Sequence, residues 1–260
     1  MFKNLILDWR AQGCSARSYV KRIVYKLRLK PTRISFRNKF HDWDDQKRFT
    51  YSQCGEDVIV EYIFRLKGIS QISYLDIGAF DPFYLSNTAL FYILGSSGLV
   101  IDPSPGIELK FKRLRPRDAV LPIAVALSDD TLKYYEFSDR TLNTTSEQEM
   151  KDLLKAGKHL IRTSSVQAMR INDIIRTNFH GICPDFVSID VEGMDLKILK
   201  TLDFESYRPK VICMETVKYS PVGRGDKISD AISFLMTHGY QEYAFTGLNS
   251  IFVDLAFWES

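Results

Sequence analysis

Residues 74–82 read Tyr-Leu-Asp-Ile-Gly-Ala-Phe-Asp-Pro. This is an apolar run that contains an acid near its end and is followed by a glycine turn. The apolar residues predict a buried β-strand. Ligands of open α/β sheets bind at the carboxyl edge, where Asp76 and Gly78 would lie. A nicotinamide-binding fingerprint would place G-x-G-x-x-G after the strand, whereas this turn holds only Gly78. The stretch therefore predicts a ligand site and argues against a dehydrogenase.

A second strand-end acid follows 26 residues later. Asp102 is placed to accept hydrogen bonds from both hydroxyls of a ribose, while Asp76 suits the cationic methionine part of S-adenosylmethionine. One acid after a strand is more often a turn residue or a helix cap, but two acids one βα unit apart predict a nucleoside-binding pair. The run Ser86-Asn87-Thr88 would cap the next helix, whose amino terminus can receive the cofactor's carboxylate. Simple capping is an equal alternative.

From residue 70 onward, short β-rich runs alternate with helical patterns, which predicts stacked βα units and a mainly parallel, seven-stranded α/β sheet flanked by helices. The last two strands are separated by only residues 246–250, so they should form an antiparallel hairpin. The predicted strands are 72–77, 98–102, 120–127, 185–190, 210–215, 240–245 and 251–255, with an extra short one at 133–137. The predicted helices are 52–67, 87–94, 107–114, 147–156, 171–178, 194–202 and 227–238.

The sequence divides into residues 1–50, a basic helical extension, and residues 51–260, the sheet-forming domain. Within that domain the polar stretch 138–167 interrupts the βα rhythm and is long for a plain connection. Insertions of this kind often shape substrate sites, so we expect it on the substrate side.

Two further strands deliver carboxylates to the same edge. Asp190 and Glu192 follow one strand and Glu215 ends the next, so the three would converge as catalytic residues beside the ligand. One would act as general base, or Asp190 and Glu215 would hold a hard cation such as Mg²⁺ with Glu192 in support. The alternative is structural, with Glu192 capping its helix and Asp190 holding backbone amides. Such a cluster repels itself unless a cation, a basic partner or a raised pKa compensates.

Positive charge is concentrated at the amino terminus. Residues 1–40 carry eleven Lys and Arg against Asp8 alone, so the overall net charge of +3 leaves −7 for the other 220 residues. As a helix, residues 19–28 would present an apolar stripe opposite basic side chains. This segment can lie on an anionic membrane surface or contact a partner protein, or its basic face is simply solvated. A body of net −7 offers no extended phosphate track, so we expect no nucleic-acid partner.

The four cysteines show no C-x-x-C spacing, which argues against a zinc ribbon, a redox motif or a disulfide scaffold and favours a reducing compartment. No apolar stretch approaches the ~20 residues that a bilayer span needs, and Asp8 interrupts the first apolar run. We expect a cytoplasmic protein without a signal peptide, able to associate with the inner membrane surface through its basic segment.

Several blocks together resemble the FkbM-type methyltransferases, a family of S-adenosylmethionine-dependent enzymes with a Rossmann-like class I fold. The resemblance runs from about Tyr51 to Asp254, and its first and last blocks are the most specific. The blocks are SQCGED at 52–57, DIGA at 76–79, SNT at 86–88, IDPSP at 101–105, ALSD at 126–129 and IDVEG at 189–193.

The resemblance implies O-methylation of a sugar hydroxyl, for example in polysaccharide biosynthesis, and hence a sugar-containing acceptor. By position it implies that the block at 52–57 lies near the cofactor entrance, that Asp102 binds the ribose and that Ser128 lies on the adenine side. Our candidate cofactor-binding residues are Asp76, Gly78, Ala79, Phe80, Asn87, Asp102 and Ser128.

The sequence departs from the usual class I pattern at Phe80 and Pro82, where many members have further glycines, so contacts to the methionine part differ there.

Two alternative functions stay open. One is an RNA or protein methyltransferase that uses the basic segment as an arm. The other is a catalytically silent binding module in a glycan-assembly complex.

Overall fold

The computed structural model describes residues 49–191, 193–217 and 225–260. Its strands are β1 (Ser73–Ile77), β2 (Ser97–Ile101), β3 (Ala119–Leu121), β4 (Ala124–Ala126), β5 (Thr131–Phe137), β6 (Leu160–Arg170), β7 (Phe186–Ile189), β8 (Val211–Glu215), β9 (Tyr240–Phe245) and β10 (Asn249–Asp254). Its α-helices are α1 (Glu56–Leu66), α2 (Ala89–Ile93), α3 (Ile107–Leu114), α4 (Glu147–Lys155), α5 (Ile171–Asn178), α6 (Asp195–Leu199), α7 (Ser229–Thr237) and α8 (Leu255–Glu259), and a 3₁₀ turn spans Arg140–Leu142.

The main sheet has seven strands within these described ranges, in the order β3-β2-β1-β7-β8-β10-β9. The first five strands of that order run parallel, and β10 pairs antiparallel with both β8 and β9. This confirms the predicted α/β class, the mainly parallel sheet and its antiparallel terminal hairpin. Since β1 lies between β2 and β7, the strand order reverses at β1, and the carboxyl ends of all five parallel strands lie at one edge of the sheet.

Side chains of the central strands alternate between two cores, one on each face of the sheet. Leu75 and Ile77 belong to one core, which also holds buried residues of α5, α6 and α7. Tyr74 belongs to the other core, with residues of α1 and α3. Because successive residues of a strand point to opposite faces, Asp76 shares the face of Tyr74. Both faces being covered, these strands are apolar along nearly their whole length.

The predicted strand 120–127 is wrong as a single element. It is two short strands in different sheets: β3 extends the main sheet beside β2, and β4 joins a three-stranded sheet in the order β4-β6-β5. Pro122 stands between them. It has no backbone N–H for a ladder, so the chain leaves the main sheet there.

The stretch 138–167 contains the predicted helix, as α4, but also most of an unpredicted eleven-residue strand, β6. This strand pairs antiparallel with β5 and parallel with β4. Its side chains are largely polar and exposed, so it lacks the apolar alternation by which strands are recognised. Arg162 bridges to Glu136 on β5 at 2.7 Å, but the backbone ladder is what defines the strand.

The basic segment 1–40, its predicted helix and its contacts lie outside the described residues. Within the described ranges no helix combines the length and apolarity required to span a bilayer. Cys54, Cys183 and Cys213 carry free thiols.

Candidate active site

A cavity opens where the parallel strands end. Gly78, Asp102 and Asp190, which follow β1, β2 and β7, line it, and Gln53 and Arg140 line it from other segments. The cavity is therefore at the edge where the sequence places a ligand.

Gly78 allows the strand ends to come together. Its φ is +85°, and a Cβ built on it would lie 1.7 Å from the carbonyl oxygen of Asp190. Its amide donates to the carbonyl of Ile101 at 2.9 Å, while the Asp190 amide donates to the carbonyl of Ile77 at 2.9 Å. Only glycine fits this conformation and this approach, so one residue joins the ends of β1, β2 and β7 beneath the cavity.

Asp102 is anchored by backbone amides from both sides. Its Oδ2 accepts from the Phe80 amide at 2.9 Å and its Oδ1 from the Ser104 amide at 2.7 Å. Each carboxylate oxygen keeps a further lone pair, so Asp102 can still accept hydrogen bonds from ligand hydroxyls in the cavity. Phe80, which also lines the cavity, has a φ of +46°, a conformation that non-glycine residues rarely adopt.

Asp76 and Asn87 are buried side chains that do not line the cavity. Asp76 is buried, and its Oδ2 accepts from the Thr88 hydroxyl at 2.5 Å. Burial raises the pKa of Asp76 against the opposing effect of that hydrogen bond. The Asn87 amide group donates to the Ser188 hydroxyl at 3.0 Å. Strand alternation places the side chain of Asp76 on the opposite face of the sheet from that of Ile77, which does line the cavity.

Among the seven candidate cofactor residues, all of them described, Gly78, Phe80 and Asp102 line the cavity. Ala79 is buried in the core, and its amide donates to the Ile101 carbonyl at 3.2 Å. Ser128 is exposed in the turn between β4 and β5. For Asp76, Ala79, Asn87 and Ser128 a role in binding the cofactor stays a prediction.

Asp190 lines the cavity beside other carboxyl groups. Burial and the carboxylates of Asp76, Glu56 and Asp102 raise the pKa of Asp190 to about 6. Glu215, at the end of neighbouring β8, has a pKa raised to about 9 by burial and then by Asp190. At neutral pH Asp190 is therefore largely ionised and Glu215 protonated. Pairs of carboxyl groups with pKa values separated in this way are typical of acid and base partners.

Asp195 extends the cluster, since burial and the charge of Asp190 raise its pKa to about 8. Glu192, the third predicted catalytic residue, lies outside the described residues. In the part of the chain that is described, no group of three or more His, Cys, Asp or Glu side chains could hold a metal ion. The Mg²⁺ site predicted for Asp190 and Glu215 stays a prediction, and the raised pKa values compensate the cluster with protons.

The block at 52–57 contributes Gln53 to the cavity lining and is anchored by two buried acids. Glu56 accepts from the Cys54 amide at 2.8 Å, the Thr246 hydroxyl at 2.7 Å and the Asn249 amide group at 3.0 Å. Burial opposes ionisation of Glu56, but these hydrogen bonds outweigh it and lower its pKa. Glu56 therefore joins the segment that carries Gln53 to the β9–β10 hairpin.

Asp57 fixes the same segment from the other side. It accepts hydrogen bonds from the Thr50 hydroxyl at 2.6 Å, the Ser52 hydroxyl at 2.9 Å and the Tyr51 amide at 2.7 Å. The implied position of the block near a cofactor entrance agrees with Gln53 lining the cavity. The anchoring by Asp57 and Glu56 was not predicted, because it depends on partners distant in sequence or on hydrogen bonds that periodicity does not show.

Residues of β5 and of the insertion at 138–167 also line the cavity. Tyr134 on β5 lines the cavity and shares a 2.8 Å hydrogen bond with the Ser104 hydroxyl. Arg140, Thr141 and Asn143 follow along the chain. The predicted insertion at 138–167 therefore does reach the cavity, although Arg140 carried no sequence signal.

Comparison with known proteins gives one family. Residues 76–242 match the model described as the methyltransferase FkbM domain. The chain belongs to the FkbM methyltransferase family. The span matched in this FkbM member includes Asp102, Asp190 and Glu215, while Gln53 and Glu56 precede it.

Among solved structures, the FkbM chain is similar to the methyltransferase domain of bacterial CtHen1-C, with 10% identity and a TM-score of 0.36. The similarity covers 77% of this chain and 98% of that one. Among curated proteins no match is found.

Proposed function

We propose that the chain is an S-adenosylmethionine-dependent O-methyltransferase that acts on a sugar hydroxyl of a glycan, glycolipid or glycosylated metabolite. One observation carries the proposal: in a member of the FkbM family, Asp102 and Asp190 line the same cavity at the carboxyl edge of the sheet. Asp102 would face the ribose and Asp190 the reacting groups.

The residues present fit the cofactor. Asp102 is held by the amides of Phe80 and Ser104 and retains acceptor capacity for two adjacent hydroxyls. Gly78 keeps the floor of the cavity free of a side chain. Bound S-adenosylmethionine supplies an activated methyl group, so the protein has mainly to align the acceptor oxygen and take up its proton.

Asp190 is the proposed general base. Its pKa is raised to about 6, so Asp190 is a stronger base than an ordinary aspartate. Because this pKa is still below neutral pH, the side chain is largely ionised there and can accept a proton. Glu215, protonated at the same pH, would donate a hydrogen bond to a group of the acceptor and remain neutral. This division of roles needs no metal ion.

We place the enzyme in the cytoplasm, with residues 1–40 as its contact with the inner membrane surface. The scattered cysteines and the eleven basic residues of that segment support this placement. An acceptor of glycolipid type would be presented at the same surface.

The test is transfer of a labelled methyl group. The full-length chain is incubated with methyl-labelled S-adenosylmethionine and a panel of nucleotide sugars and glycan fragments, with and without a chelator. We expect transfer to at least one sugar, unaffected by the chelator and lost in the Asp190→Asn variant. Transfer to RNA or protein instead, or cofactor binding without transfer to any acceptor, would contradict the proposal.

A further inference from the structure

We propose that Arg115 is a positioning residue that holds the cavity-facing loop 80–88 in the conformation that binds the cofactor. The inference rests on the proposed use of the cavity by a nucleoside cofactor. Arg115 lies just after α3, and its side chain is wholly buried. Arginine is seldom fully buried unless it is paired, so its partners indicate what it does.

One side of the guanidinium is fixed to the sheet. Nε and Nη2 both lie 2.6 Å from Oδ2 of Asp118, and Nη2 also donates to the Tyr74 hydroxyl at 3.1 Å. The rings of Phe111, Tyr92 and Tyr74 lie within 5.1–5.6 Å of the guanidinium carbon. These contacts, none of which involves the loop, hold the guanidinium group rigidly.

The other side of the guanidinium holds the loop. Nη1 donates to the carbonyl of Pro82 at 3.1 Å and to the Ser86 hydroxyl at 3.2 Å, and Nη2 donates to the Thr88 hydroxyl at 2.9 Å. The same Thr88 hydroxyl donates to Asp76 at 2.5 Å. Arg115 thus ties three points of the loop, and through Thr88 the end of β1, to one buried cation.

The loop needs such support because its backbone is strained. Phe80 and Leu85 have φ values of +46° and +56°, and both line the cavity. Non-glycine residues persist in this region only when their surroundings enforce it, and such residues cluster at ligand sites. The anchors at Pro82 and Ser86 flank Leu85, so Arg115 acts on the stretch that carries the strain.

The variant Arg115→Lys keeps the charge next to Asp118 but lacks the planar set of donors that reaches Pro82 and Ser86. Arg117→Lys is the matched control, because Arg117 bonds to the carbonyls of Tyr92 and Ser96 and not to the loop. The two readouts, on full-length protein, are amide hydrogen exchange by residue and calorimetric titration with S-adenosylhomocysteine.

We expect Arg115→Lys to accelerate amide exchange in residues 80–88 at least tenfold and to leave β7 and β8 protected. We also expect it to raise the dissociation constant of S-adenosylhomocysteine at least tenfold. Arg117→Lys should change neither readout.

Equal loss of protection in the loop and in β7 would show a merely structural ion pair, and unchanged exchange in the loop would also overturn the inference. Should Arg115→Lys not fold, Ser86→Ala removes one loop anchor without touching the ion pair. Because the Ser86 hydroxyl also accepts from the amides of Thr88 and Ala89, this variant is judged by exchange in residues 80–85 alone. Absence of binding by the wild type would refute the proposed function, while the exchange data would still decide the role of Arg115.

Discussion

Asp190 is buried beside charges of its own sign, and burial together with these charges sets the pH at which it can work as a base. Since its pKa is raised to about 6, the fraction of Asp190 able to accept a proton grows as the pH passes through that value. We predict that kcat/KM for the acceptor found in the transfer assay rises between pH 5 and 7 with a midpoint near 6. A flat profile over this interval would remove Asp190 from the role.

The amide at the same position gives a second, independent check. Asp190→Asn keeps the size of the side chain but cannot take up a proton, so we predict a loss of about 10²–10⁴-fold in kcat. The dissociation constant of S-adenosylhomocysteine, measured by calorimetry, should stay within about threefold of the wild-type value. Turnover close to that of the wild type would contradict the assignment.

Glu215 links the protonation of the site to stability. Its pKa is raised from 4.5 to about 9, so the native state binds its proton more tightly than the unfolded state does. Its contribution to the free energy of unfolding is therefore greatest below pH 4.5 and is lost as the pH rises towards 9. We predict that Tm falls less steeply between pH 5 and 9 in Glu215→Gln than in the wild type. Glu205→Gln, at an exposed position, is the control and should keep the wild-type slope.

At the residue scale the sequence predicted part of the cavity. Gly78 and Asp102 were recognised because a strand followed by a glycine or an acid is a local pattern, and both line the cavity. The orientation of Asp76 was not predictable in the same way. It depends on which face of β1 meets the cavity, and that follows from the packing of the whole sheet. Arg115 had no local signal, because its partners lie as far away as Tyr74, 41 residues earlier.

At the scale of elements, Glu56 joins α1 and the segment before it to the β9–β10 hairpin. This fully buried carboxylate accepts three hydrogen bonds, and hydrogen bonds to charged groups contribute about 1.5–3 kcal/mol each. We predict that Glu56→Gln lowers the free energy of unfolding by about 2 kcal/mol in urea titrations, since the amide replaces one acceptor with a donor. Glu147→Gln removes an exposed pair with Lys151 and should leave the free energy of unfolding almost unchanged. Equal effects of the two variants would contradict this account of Glu56.

Elements were predictable where the pattern that forms them is local. The buried parallel strands and the amphipathic helices α3 and α5 have the bounds or nearly the bounds expected, because apolar periodicity reflects the faces they bury. The strand β6 was missed, since its exposed polar residues are ordered by pairing with β5 and β4. The division of 120–127 could be anticipated from Pro122 alone, but the destination of β4 in a second sheet could not.

For the whole molecule, the short link between the last two strands correctly predicted the antiparallel hairpin, and the alternation of strands and helices predicted the parallel sheet. Convergence at one edge follows from that topology, and with it the closeness of Asp102 and Asp190. No sequence pattern indicated the tertiary contact between Tyr134 and Ser104, which brings β5, the strand just before the insertion, to the same cavity.

The most direct test of the central claim is a calorimetric titration of the full-length chain with S-adenosylhomocysteine, alongside Asp102→Asn, an Asp230→Asn surface control and NADH as a rival ligand. We predict saturable heat with the wild type and with Asp230→Asn, at least tenfold weaker binding by Asp102→Asn, and no binding of NADH. Folded wild-type protein that takes up no S-adenosylhomocysteine, or that takes it up equally well without the Asp102 carboxylate, would contradict the account.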